Sequence, residues 1–193
     1  DTFGVGGPVN FQGTMVSIER VFLDPVNPPF KLAPHLTLTG ATLAALPHDL
    51  ILEGKGALTV NMTPGTAYDA TGFIVTAGSV IATPVNGSTA NDHIKPGPTP
   101  EAVDGRDGRD TAQFSGNLAD NTVSAGANGS VLIGNDSFLN VEQFAFADST
   151  YRWDGTRMID LTQHLGNGAD VVDGTGLDDV LYCQPGDHTL SGL

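Results

Sequence analysis

Several things are scarce in this chain, and each scarcity excludes something. It has 193 residues and a single cysteine, Cys183, so no disulfide can form within it. A chain without that staple must draw stability from burial, or from another cross-link such as a metal. Basic residues are few, 8 Lys and Arg against 22 Asp and Glu, for a net charge of -14. Nucleic acid is excluded as a partner, because its phosphates demand Lys and Arg. An anionic membrane surface is excluded for the same reason. No run approaches the roughly 20 apolar residues of a membrane-spanning helix. The chain starts at Asp1 with no leader pattern, so it reads as a processed protein or as part of a longer one.

Catalytic constellations are also missing. The five histidines, His35, His48, His93, His164 and His188, are scattered, and no His-Glu-x-x-His occurs. There is no Gly-x-Ser-x-Gly elbow, P-loop or dinucleotide fingerprint. Cys183 has neither a helix start nor a convincing histidine partner beside it. The expectation is a chain that is not an enzyme in its own right.

What the sequence does contain is glycine (25), proline (12) and short apolar runs between turn residues. Long amphipathic helical stretches are absent. This pattern predicts an all-β chain. Strands are expected at 15–23, 36–39, 50–53, 58–62, 73–76 and 80–83, each rich in Leu, Val, Ile or Thr. A short helix is expected at 41–46, stopped by Pro47. The alternation Leu36-Thr37-Leu38-Thr39 gives one buried face and one wet one, as a solenoid or a sandwich would.

Residues 87–113 form three nonapeptides: GSTANDHIK, PGPTPEAVD and GRDGRDTAQ. Their sixth position is acidic (Asp92, Glu101, Asp110) and their eighth is apolar (Ile94, Val103, Ala112). A second array begins at 165: LGNGADVVD, GTGLDDVLY, CQPGDHTLS. There Asp170, Asp179 and His188 hold the sixth position. Residues 1–86 form a Leu/Thr-rich segment, and 114–164 a non-repetitive spacer with strands expected at 121–124, 130–133 and 138–146.

The nine-residue period has a physical reading. A glycine-rich half makes a tight turn with exposed carbonyls. The half x-Asp-x-apolar-x makes a short strand with its apolar side chain inward. Two units close one coil of eighteen residues, so carboxylates eighteen apart stack about 4.8 Å from each other. Bare carboxylates at that spacing repel, whereas Ca²⁺ accepts 6–8 oxygens from carboxylates and carbonyls. The alternative is a set of solvated Gly/Asp corners with no metal. The best pair is Asp92 with Asp110, on the turns opened by Gly87 and Gly105. Glu101 faces the opposite side. The run Asp104-x-x-Asp107-x-x-Asp110 is either a further cation cluster or a solvated turn.

These units resemble the RTX, or hemolysin-type, calcium-binding repeat, Gly-Gly-x-Gly-x-Asp-x-apolar-x. Gly105-Arg106-Asp107-Gly108-Arg109-Asp110-Thr111-Ala112 and Leu165-Gly166-Asn167-Gly168-Ala169-Asp170-Val171-Val172 carry the likeness. Residues 1–86 are similar, more loosely, to the solenoids of S-layer and adhesin-like proteins. Pro96, Pro185, Leu177, Cys183 and His188 depart from the repeat. The resemblance implies a parallel β-roll or β-solenoid with a short non-repetitive insert, structural Ca²⁺, and type I secretion from a Gram-negative bacterium. It implies a metal-ligand set of Asp92, Glu101, Asp110, Asp107, Asp170 and Asp179 with the turn glycines Gly87, Gly105, Gly108, Gly168, Gly174 and Gly176. The expected role is a structural or attachment module of a secreted or surface protein. The partners expected are calcium and other protein chains or the rest of a larger polypeptide. A rival reading is a subunit that binds a protein partner or a cell-surface glycan. Another is the accessory part of a secreted hydrolase whose catalytic domain lies elsewhere. Trp153 and Tyr151, beside Arg152, are expected to cap the core.

Overall fold

A computed structural model describes residues 1–6, 8–11, 18–23 and 34–161, and the backbone of four strands within 162–191. The described part is all-β with one short α-helix. The strands are β1 (Thr2–Val5), β2 (Pro8–Asn10), β3 (Arg20–Leu23), β4 (His35–Thr39), β5 (Ile51–Asn61), β6 (Ala67–Asp69), β7 (Ile74–Val75) and β8 (Val80–Asn86). Then come β9 (His93–Lys95), β10 (Glu101–Asp104), β11 (Thr111–Gln113), β12 (Val123–Ala125), β13 (Val131–Ile133), β14 (Asp136–Leu139), β15 (Gln143–Ala145), β16 (Thr150–Trp153) and β17 (Met158–Asp160). The last four are β18 (Thr162–His164), β19 (Val171–Asp173), β20 (Val180–Tyr182) and β21 (Thr189–Ser191). Helix α1 (Gly40–Ala44) is capped by the Thr39 hydroxyl, which accepts the Thr42 N–H at 3.1 Å.

From β8 to β15 the chain alternates between two sheets. β8, β10 and β14 lie in an eleven-stranded sheet, and β9, β11 and β15 in a six-stranded one. The ladders along this path are parallel: Glu101 sits opposite Thr83, Val103 opposite Val85, His93 opposite Thr111 and Ile94 opposite Ala112. Each pair is eighteen residues apart, the separation expected from two nonapeptides. The same separation returns where Thr162 pairs with Val180 and Val171 with Thr189. Between β11 and β14 the insert 114–135 leaves this path. Its β12–β13 hairpin adds antiparallel strands beside β14.

The core lies between the sheets. The eighth-position residues Ile94, Val103 and Ala112 are all buried, as the period requires. Where Ala112 leaves room, the spacer supplies bulk: Phe144 stacks on it in register, and Phe138 packs edge-on to Phe144 at 5.6 Å. Phe114, Phe146 and Tyr151 continue this aromatic cluster. Tyr151 and Trp153 pack against the core from its edge, as expected.

Two expected boundaries moved. Runs 50–53 and 58–62 fuse into one strand, β5, because Gly54 carries the chain through at φ +100. A Cβ there would collide with the Leu23 carbonyl, so only glycine fits. Conversely, 138–146 divides into β14 and β15. Asn140, at φ 51, turns the chain from the larger sheet to the smaller. Part of the expected strand 15–23 lies outside the described residues.

Candidate functional site: two stacks of carboxylates

The alternating path stacks the sixth positions of the first array and two acids of the spacer into two columns, one at each side. On one side Asp92, Asp110 and Glu142 follow each other, because β9, β11 and β15 pair in register. On the other, Glu101 is followed by Asp136, just before β10 and β14 align at Ala102 and Ser137. One hydrogen bond recurs at every step. The Asp92 N–H donates to Asp110 Oδ1 at 2.8 Å. The Asp110 N–H donates to Glu142 Oε2 at 2.8 Å, and the Glu101 N–H to Asp136 Oδ1 at 2.9 Å. Each carboxylate thus satisfies the main-chain N–H of the coil before it, at the corner where a strand ladder begins.

What the second oxygen of each carboxylate does differs from site to site. Asp92 is closed by its own turn: Ser88 donates its N–H at 2.6 Å and its hydroxyl at 2.9 Å. Asp110 is wholly buried, and its Oδ2 has no hydrogen-bond partner among the described residues. That atom and the Asn140 carbonyl oxygen crowd the Gly105 Cα so closely that a Cβ there would strike both. Gly87 repeats the arrangement one coil earlier, against the Gly105 carbonyl and Asp92 Oδ2. Glycine is required at these two positions by the approach of a neighbouring carbonyl. Gly108, at φ +132, lies against the Ala90 carbonyl in the same way. Burial pushes the Asp110 carboxyl up to about 6; the Asp92 N–H works against the rise, and the charges of Glu142, Asp92 and Asp104 add to it.

The opposite column is more self-contained. Glu101 Oε1 accepts from the Thr99 hydroxyl at 2.7 Å, the Gly97 N–H at 3.2 Å and the Tyr68 hydroxyl at 3.3 Å. Thr99 in turn meets the Thr83 hydroxyl at 2.8 Å. Glu101 Oε2 is buried and, like Asp110 Oδ2, has no hydrogen-bond partner among the described residues; the Asp136 carboxyl neighbours Glu101. Burial, reinforced by Asp136, drives the Glu101 carboxyl up to about 8, and burial raises Asp136 as well.

The structure therefore brings together Asp92, Asp110, Gly87, Gly105 and Gly108, and sets Glu101 apart on the other side. Asp107 stays exposed at the tip of its turn, while Asp104 Oδ1 accepts from the Arg106 N–H at 3.1 Å and the Asn140 amide at 2.9 Å. Asp170, Asp179, Gly168, Gly174 and Gly176 lie outside the described residues, as do Cys183 and His188. Asp136 and Glu142 escaped the sequence reading. Their signal is half a repeat: Asp136-Ser137-Phe138 and Glu142-Gln143-Phe144 keep the acidic-x-apolar strand but lack the nine-residue spacing. Among the described residues, no three His, Cys, Asp or Glu side chains gather closely enough to hold a metal by themselves. A cation between the Asp110 and Asn140 turns would draw on main-chain carbonyls as well, which hard cations accept. The donor set fits Ca²⁺ in kind, because it consists of oxygen alone and includes a buried carboxylate oxygen without a partner among the described residues. No family model matches this chain, and no curated protein matches it.

Proposed function

We propose that the chain is a non-catalytic β-solenoid module stabilised by calcium, serving as structural support or attachment within a secreted or cell-surface protein. The observation that carries the reading is Asp110 Oδ2, a buried carboxylate oxygen that no donor among the described residues satisfies. Such an atom costs several kcal/mol when ionised unless a cation meets it. Ca²⁺ bound there would use Asp110 and the Asn140 carbonyl, with Glu142 next in the column, tying the repeat turn to the spacer. The alternating sheets and the eighteen-residue register support a solenoid path. The extracellular setting rests on the RTX resemblance and on calcium being abundant outside cells. Equilibrium dialysis of EDTA-stripped protein against Ca²⁺, with Mg²⁺ as competitor, tests it. Retention of at least one Ca²⁺ per chain, lost in Asp110→Asn, is expected. No retention at millimolar Ca²⁺ would overturn the reading.

A further inference from the structure

Regular coils present flat faces, and a concavity arises where the insert departs from them. One such cleft, of about 300 Å³, opens between the 96–99 turn, the start of the insert and the 133–136 turn. Its lining includes two nearly buried polar residues, Thr99 (3% exposed) and Asp136 (9%). They belong to the hydrogen-bonded chain Thr83–Thr99–Glu101 and Asp136 described above. Burying so many polar groups is costly, and one result is an Asp136 side chain held in place beside the cleft by the Glu101 N–H.

We propose that this cleft binds a neutral saccharide. The lining is chemically suited to hydroxyl groups. Gln113 gives its amide oxygen to His93 at 2.7 Å, which leaves its NH₂ to donate. Asn121 spends its NH₂ on the Asn117 carbonyl at 2.9 Å, which leaves its oxygen to accept. Ser115 offers a hydroxyl, and Asp136 an acceptor. Phe114, Pro96 and Pro98 supply apolar wall for the C–H face of a sugar ring. Among the described residues no Lys, Arg or His lines the cleft, so phosphate, sulfate and carboxylate ligands find no counter-charge there. The polar lining disfavours lipids and other apolar ligands. The volume is at the small end for ligand sites, which suits one or two sugar rings. This inference does not depend on calcium in the Asp110 column.

The test is an amide NMR titration of the full chain, in calcium-containing buffer, with glucose, galactose, mannose and N-acetylglucosamine. At least one sugar is expected to shift amides at 97–99, 113–115 and 133–136 saturably, with a Kd on the order of millimolar. Asp136→Asn should weaken it about tenfold, the loss of one charge-assisted hydrogen bond. Asn121→Ala, a change at a half-buried turn, should weaken it severalfold, and covers the case in which the Asp136 variant fails to fold. Absence of saturable shifts with all four sugars to 50 mM, as an order-of-magnitude limit, overturns the proposal. So does binding unaffected by both variants.

Discussion

Replacing Asp110 with asparagine should have opposite effects with and without calcium. The rise of the carboxyl from 3.8 to about 6 corresponds to roughly 3 kcal/mol against the ionised form, at 1.36 kcal/mol per pH unit. Asparagine removes that penalty. It keeps an oxygen for the Asp92 N–H and can turn its NH₂ toward the Asn140 carbonyl, where two acceptors now crowd Gly105. Against this, the bond from Asp92 loses its charge assistance, about 1 kcal/mol. In EDTA at pH 7.5 the variant should therefore be more stable by about 1–2 kcal/mol, a melting rise of about 2–8 °C for a chain of this length. With calcium a thousandfold above Kd, the native protein gains about 4 kcal/mol that the variant cannot. The order of melting temperatures then reverses. Calorimetry of both proteins in both buffers reads this directly. A variant less stable by the same amount in EDTA and in calcium would refute the reasoning, and would make Asp110 simply a corner acceptor.

Other outcomes follow from the same geometry. Gly105→Ala and Gly87→Ala should each destabilise by about 1–3 kcal/mol, because the Cβ meets a backbone carbonyl that belongs to the next coil; urea unfolding checks this, with Gly134→Ala as a control for φ strain in open space. The raised Glu101 carboxyl makes metal-free stability pH-dependent. Its folded value near 8 exceeds the unfolded 4.5, so its contribution is complete below pH 4.5 and is lost as pH rises toward 8. Glu101→Gln should flatten that slope in urea melts run from pH 5 to 8.5. Calcium uptake should release protons and strengthen as pH rises through 6, because Asp110 must be ionised to serve as a ligand; isothermal titration in buffers of different ionisation enthalpy measures the release.

The first repeat array was the most legible part of this chain. Position eight told which side chains go inward, and the nine-residue period fixed the register at which Thr111 meets His93. Both are local consequences of one short strand per unit. Asp136 and Glu142 were hidden because their place in the columns is decided by pairing across 35 and 32 residues. Pairing over that distance leaves no period to read. The fusion of two runs into β5 depended on the Leu23 carbonyl approaching Gly54, a contact between distant segments. The glycines at 87 and 105 were singled out as turn formers. Their strictest constraint is instead the room that the next coil's carbonyl needs. The cleft beside Asp136 was equally invisible, since the turn, the insert and the hairpin that line it are separate in sequence.

The central claim is that calcium supports this fold. Far-UV circular dichroism and thermal melting of EDTA-stripped protein, repeated with Ca²⁺ and with Mg²⁺, address it most directly. The account predicts a Ca²⁺-selective rise of about 8–16 °C at saturating ion, absent in Asp110→Asn. Superimposable melts in EDTA, Ca²⁺ and Mg²⁺, from protein shown by elemental analysis to be metal-free, would contradict it.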